Sequence, residues 1–196
     1  MNWSTTPAKK RAGHADPTAD EAIKKALRSQ KARQSRETGA MFEKMIDNSV
    51  KWYEAMGEAC IEKTPEPMRP LRPPNARGQF LACFTKQAQP DYQGTLSSGR
   101  SVVFEAKHTD GEKIEYSRLS GEQIDRLEQH YKMGAEVFVL VSVGLVNFYR
   151  VPWIAWRSML EMYGRRHMKL YELERYRVPF TGGVIKLLEG IDKEDA

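Results

Sequence analysis

The run Ala135-Glu-Val-Phe-Val-Leu-Val-Ser-Val143 constrains the fold more than any other part of the chain. Successive side chains of a strand point to opposite faces, so a short run that is apolar at nearly every position has to be covered on both. It reads as a buried strand, and helices elsewhere in the sequence must supply the cover.

Those helices are visible as periodicity. Phe42, Met45, Ile46, Val50, Tyr53 and Met56 recur at three- and four-residue spacing, which predicts an amphipathic helix from about Gly39 to Gly57. A second helix is expected over residues 120–133, with Ile124, Leu127 and Tyr131 on one face and Gly134 ending it. A third opens with Pro152 at its first position and carries Trp153, Trp156, Met159 and Leu160. Strands are expected at Ala59 to Lys63, Gln79 to Lys86, Ser101 to Lys107 and Asn147 to Val151, with a short one near Val184 to Leu188. Turns are placed at Asp91 to Gly94 and at Ser97-Ser98-Gly99. This order gives an α/β core with a mixed central sheet flanked by helices.

Two segments stand outside that pattern. Residues 1–37 are polar and basic, with Lys24, Lys25, Arg28, Lys31, Arg33 and Arg36 among them and no core-facing stripe. They read as a flexible basic arm, any helix from about Thr18 being a solvated one, with residues 38–196 forming the folded domain. Residues 64–79 hold Pro65, Pro67, Pro70, Pro73 and Pro74 together with Arg69, Arg72 and Arg77. So many prolines exclude a regular helix or a central strand, leaving a projecting basic loop.

The net charge of +5 suits a polyanionic partner such as nucleic acid. Cys60 and Cys83 form no CxxC and are expected as buried thiols in a reducing compartment. No apolar run approaches the ~20 residues of a membrane span, and the N-terminus lacks a secretory h-region, so a cytoplasmic protein is expected. Nucleotide-binding glycine loops and the GxSxG elbow are absent from the sequence.

The candidate chemistry lies between Pro90 and Lys107. Along the strand that contains Glu105, alternation puts Val102, Phe104 and Ala106 on one face and Val103, Glu105 and Lys107 on the other. Glu105 and Lys107 are then about 6.6 Å apart along the chain at roughly 3.3 Å per residue. With Asp91 upstream, two carboxylates and a lysine can serve phosphodiester hydrolysis. A hard cation is held by one or two carboxylates plus water and substrate phosphate, and a lysine stabilises charge that develops in the transition state. The alternative for these residues is an ordinary salt bridge on an exposed sheet face. Ser120-Gly-Glu-Gln123 fits a capping box, which is the structural role for Gln123; the functional one is to offer its amide oxygen to a metal or water. Glu43 reads as a solvated or capping charge, or else as an accessory acid pointing into a cleft beside the sheet.

Several segments in order then resemble the RecU family of Holliday junction resolvases, within the PD-(D/E)xK nuclease superfamily. They are Gly39-Ala-Met-Phe-Glu43, Lys63-Thr-Pro-Glu-Pro67, Pro90-Asp-Tyr-Gln-Gly94, Val103-Phe-Glu-Ala-Lys-His-Thr109 and Glu122-Gln-Ile124, followed by 135–141 and Tyr149-Arg-Val-Pro-Trp153. The resemblance spans about Gly39 to Trp156. It implies a restriction-endonuclease-like core and a homodimer that cuts four-way DNA junctions with Mg²⁺ or Mn²⁺. Asp91 and Glu105 match the family's metal-binding acids, Lys107 its transition-state lysine, and Gln123 a glutamine of the metal site. Where the family carries a threonine two residues before the aspartate, this chain has Gln89, whose amide oxygen is still able to ligate. The family's protruding stalk corresponds to about residues 68–84, with Arg69, Arg72 and Arg77 as DNA-contacting residues and Arg36 in the arm. A recombinase and a branch-migration motor are the partners it implies. Another structure-specific nuclease of the superfamily, or a non-catalytic DNA-binding protein on the same fold, are the competing expectations.

Overall fold

The apolar run sits in the middle of a six-stranded mixed sheet. The computed structural model describes residues 19–65, 68–84 and 89–191. The first elements are α1 (Ala19–Ala55), β1 (Ala59–Lys63), β2 (Met68–Pro70), β3 (Ala82–Phe84), β4 (Tyr92–Leu96) and β5 (Ser101–Thr109). After them come β6 (Lys113–Glu115), α2 (Gly121–Lys132), β7 (Glu136–Val143), β8 (Asn147–Pro152), α3 (Trp153–Arg157) and α4 (Met159–Tyr163). The chain continues with β9 (His167–Lys169), α5 (Leu170–Leu173) and β10 (Arg177–Val178), and closes on a short pair, β11 (Phe180–Thr181) with β12 (Val184–Ile185).

The main sheet runs β1-β4-β5-β7-β8-β10. Only β5 and β7 pair in parallel, and the other neighbours are antiparallel. A parallel pair needs a crossover, and the segment from β6 to α2 provides it.

Both faces of the sheet are covered. On one, Phe42, Ile46, Val50 and Tyr53 of α1 pack on Tyr92, Val102, Phe104, Phe138, Leu140 and Phe148. The rings of Tyr92, Phe104 and Phe138 stack across three adjacent strands at 4.9 and 4.7 Å. Each such pair adds about 0.5–1.5 kcal/mol beyond its burial. On the other face, Val103, Val137, Val139, Val141, Tyr149 and Val151 meet Leu127, Trp153, Trp156, Met159 and Leu173. The face carrying Val103 and Glu105 is therefore a second core layer, not the exposed surface that a plain salt-bridge reading of those residues requires.

The chain divides into two units, Met1–Glu37 and Thr38–Ala196. In the first, residues 21–36 are helical and exposed, in keeping with the solvated helix that the sequence allows in the basic arm. Their Ala, Lys, Arg, Gln and Glu are good helix formers, so propensity suffices where an apolar stripe is lacking. Residues 1–18, including the start anticipated at Thr18, lie outside the described residues.

Four expectations are corrected. Asp91 to Gly94 is not a turn: Tyr92 to Gly94 open β4, and Gly94 lies where β1 comes too close for a side chain. The strand expected at Gln79 to Lys86 is confined to β3, which pairs with β2, and residues 85–88 fall outside the described ones. Cys60 is exposed and Cys83 half-buried. On the edge strand β1, alternation turns Ala59 and Ile61 inward and Cys60 outward. Pro152 caps α3 from outside and is not its first residue.

Candidate active site

Strand pairing brings the site together. In the β4–β5 ladder Tyr92 lies opposite Phe104, so the next residues outward, Asp91 and Glu105, meet where the ladder opens. The main-chain N–H of Ala106 donates to Asp91 Oδ2 at 2.9 Å and holds that carboxylate against β5. Thr64 N–H donates to the Asp91 carbonyl at 2.9 Å, tying the end of β1 to the same residue.

Glu105 is fully buried. β7 runs beside it in parallel register, with Val139 opposite. Its Oε2 accepts from Lys107 Nζ at 2.8 Å and from Gln123 Nε2 at 2.5 Å. Its Oε1 is buried and has no hydrogen-bond partner. Burial, and after it the negative charge of Asp91, push the Glu105 carboxyl up to about 8, with Lys107 acting in the opposite direction. Lys107 Nζ also lies 3.6 Å from Asp91 Oδ2. One ammonium thus bridges two carboxylates that would otherwise repel.

A buried carboxylate oxygen without a donor is costly. A hard divalent cation removes that cost, since it takes oxygen ligands and favours the ionised acid. The donor set of Asp91 and Glu105 fits such an ion, which keeps several of its waters. Among the described residues no group of three or more His, Cys, Asp or Glu is placed to hold a metal ion by itself.

The remaining sequence candidates separate. Gln123 reaches the site from the first turn of α2, where Ser120 and Gln123 form the anticipated capping box. Its amide nitrogen faces Glu105, and its oxygen accepts from Ser120 N–H at 3.0 Å. Gln89 is exposed, two residues before Asp91. Glu43 is neither a cap nor a free surface charge: it pairs with Lys63 at 2.7 Å. Arg69, Arg72 and Arg77 are exposed on the hairpin segment 68–84. Arg36 belongs to the N-terminal unit, where its Nε donates to Ala32 O.

The site has neighbours that the sequence did not single out. Tyr92 Oη donates to Asp47 Oδ1 at 2.9 Å, anchoring the residue next to Asp91 to α1. Lys63 is raised above the ordinary lysine range by its hydrogen bond to Glu43, with Asp47 and Asp91 adding to the effect. The Lys63-Thr64-Pro65 segment was part of the family resemblance, and that was the available signal for Lys63. Asp47 sits one residue after an apolar helix position and gave none.

The mixed sheet thus brings two acids, Asp91 and Glu105, side by side where the β4–β5 ladder opens, with a lysine two residues beyond the second. The chain belongs to the family described as Recombination protein U, RecU, whose profile matches residues 37–193. A Holliday junction resolvase RecU of Streptococcus sanguinis strain SK36 is 28% identical over 175 residues, 80% of this chain and 86% of that protein. Its counterpart in Streptococcus pneumoniae strain Hungary19A-6 is 30% identical over 128 residues, 57% of this chain and 64% of that protein. Among solved structures, Hjc of Archaeoglobus fulgidus, a Holliday junction resolvase, aligns with a TM-score of 0.43 at 15% identity, covering 69% of this chain and 91% of that one.

Proposed function

We propose that this protein is a Holliday junction resolvase, a metal-dependent endonuclease that nicks four-way DNA junctions symmetrically. The observation that carries the reading is the convergence of Asp91, Glu105 and Lys107, with the other buried Glu105 oxygen left without a donor. Family membership, and relatives that are themselves Holliday junction resolvases, support the choice of substrate.

Asp91 and Glu105 are the residues that would hold the cation, Mg²⁺ or Mn²⁺. When bound, it supplies Lewis acidity to the phosphoryl oxygen and a water of lowered pKa. The chain's own residues do the rest. Ala106 N–H fixes Asp91, and Gln123 and Lys107 fix Glu105. Lys107, held between Glu105 and Asp91, is the group that would stabilise negative charge growing on the phosphate. Gln89 and Glu43 are accessory candidates, Gln89 as a further oxygen ligand and Glu43 through Lys63. Arg69, Arg72 and Arg77, with Arg36, are the proposed phosphate contacts. Symmetric nicking calls for two equivalent sites, so we assign the active form as a homodimer. Junctions arise by strand exchange and travel by branch migration. A recombinase and a branch-migration motor are the partner classes that the family resemblance implies, and the cytoplasm is the proposed setting. Among the described residues no helix is long and apolar enough to cross a membrane.

A substrate panel tests this reading. With Mg²⁺ or Mn²⁺, the expected result is paired nicks in a synthetic four-way junction and little cutting of the matching linear duplex. Equal cutting of both would point to a different nuclease of the class, and no cleavage of any DNA to a binding protein.

A further inference from the structure

Gln123 is held at both ends of its amide, and the two partners are not interchangeable. Ser120 N–H is a main-chain donor and cannot accept, so the atom it meets at 3.0 Å has to be Oε1. The amide nitrogen is thereby turned to Glu105, where it donates to Oε2 at 2.5 Å. The same Oε2 takes the Lys107 ammonium at 2.8 Å, while Oε1 of Glu105 receives no donor. Both donors fall on one oxygen and leave the other open.

We propose that the backbone N–H of Ser120 is a positioning group for the acid Glu105: it fixes the polarity of the Gln123 amide, so that Gln123 Nε2 steers the carboxylate. This rests on the metal-nuclease reading of Asp91 and Glu105, and it sharpens the role of Gln123 within it. Without the Ser120 N–H, half of the capping box of α2 would be lost, and nothing would fix which end of its amide Gln123 turns to Glu105. As a positioning residue it keeps the box closed and orients Glu105 before any cation arrives. Preorganisation of this kind raises affinity by removing an ordering step.

The local backbone permits a clean test. Ser120 has φ −71° and ψ 160°, and Leu119 before it has φ −99° and ψ 135°. Both are conformations that proline and its preceding residue adopt without strain. Ser120→Pro therefore deletes the N–H and the hydroxyl cap together, whereas Ser120→Ala deletes the hydroxyl alone. Mn²⁺ affinity, measured on the intact protein without DNA from the electron-spin signal of free Mn²⁺, gives a readout independent of cleavage. A thermal melt of each variant reports the capping contribution separately.

The expected result is a lower Tm in both variants, with Mn²⁺ binding about fivefold weaker in Ser120→Pro than in Ser120→Ala, the fold-change for one hydrogen bond. Equal Mn²⁺ affinity in the two variants, within twofold, would overturn the inference and leave Ser120 as a helix cap only. If the wild-type protein itself binds no Mn²⁺, the metal-nuclease reading fails and the inference goes with it.

Discussion

Gly94 offers the sharpest test of how the sheet supports the site. It lies opposite Ile61 in the β1–β4 ladder. A Cβ placed there would sit 2.1 Å from the Cys60 carbonyl oxygen and 2.6 Å from Ile61 Cα. Both are main-chain atoms, so no side chain can swing aside; β1 itself would have to move by about an ångström to restore contact near 3.5 Å. That motion would pull Ala59 and Ile61 out of the core layer they share with α1. Overpacking in a tight site costs about 1–3 kcal/mol, and more where backbone must shift. We therefore expect Gly94→Ala to destabilise by about 2–4 kcal/mol. In a domain of this size 1 kcal/mol moves Tm by roughly 2–4 °C, giving a fall of about 5–15 °C. Far-ultraviolet circular dichroism or calorimetry reads it directly. A variant melting within 2 °C of wild type would refute the close-approach explanation. The site should respond as well, because Thr64 at the end of β1 holds the Asp91 carbonyl.

Two further outcomes follow from the electrostatics. Glu105 is raised from 4.5 to about 8, so in the metal-free protein its contribution to stability is fully present below about pH 4.5 and is lost as pH rises through about 8. A bound cation displaces that proton, so Mn²⁺ affinity should climb close to tenfold per pH unit between pH 6 and 8, and a flat profile in titration calorimetry would contradict the burial of Glu105. Replacing Arg69, Arg72 and Arg77 together by alanine should reduce the salt dependence of junction binding, lowering the slope of log K against log[salt] by about 2–3 at roughly 0.9 per phosphate. An unchanged slope in a filter-binding or anisotropy series would remove the hairpin from the DNA-contacting surface.

The sequence made much of this legible because the signals were local. The 135–143 run, the helix bearing Phe42, Ile46, Val50 and Tyr53, and the Ser120–Gln123 capping box each rest on spacing within one element. Alternation in β5 correctly put Glu105 and Lys107 on one face, which the Lys107–Glu105 bond at 2.8 Å reflects. The failures arose where a distant segment decides. Gly94 looked like a turn residue because glycine commonly marks turns, yet here it answers to β1, more than thirty residues upstream. Cys60 looked buried from its apolar neighbours, and only its place on the edge strand turns it outward. The burial of Glu105 depends on β7 and α2 closing over it, which no pattern within 101–107 announces. Residues 21–36 form an exposed helix, as the sequence allows, because a solvated helix rich in Lys, Arg and Ala needs no apolar stripe.

Asp91→Asn on a synthetic four-way junction is the most direct test of the central claim. Asparagine keeps a carbonyl oxygen for the Ala106 N–H that Asp91 Oδ2 now accepts, so the fold and DNA binding should survive. Its charge is lost, and with it half of the carboxylate pair proposed to hold the cation. We expect cleavage with Mg²⁺ to fall at least a hundredfold while junction affinity stays within about twofold of wild type. Full cleavage by Asp91→Asn would contradict the assignment of this site as the catalytic centre.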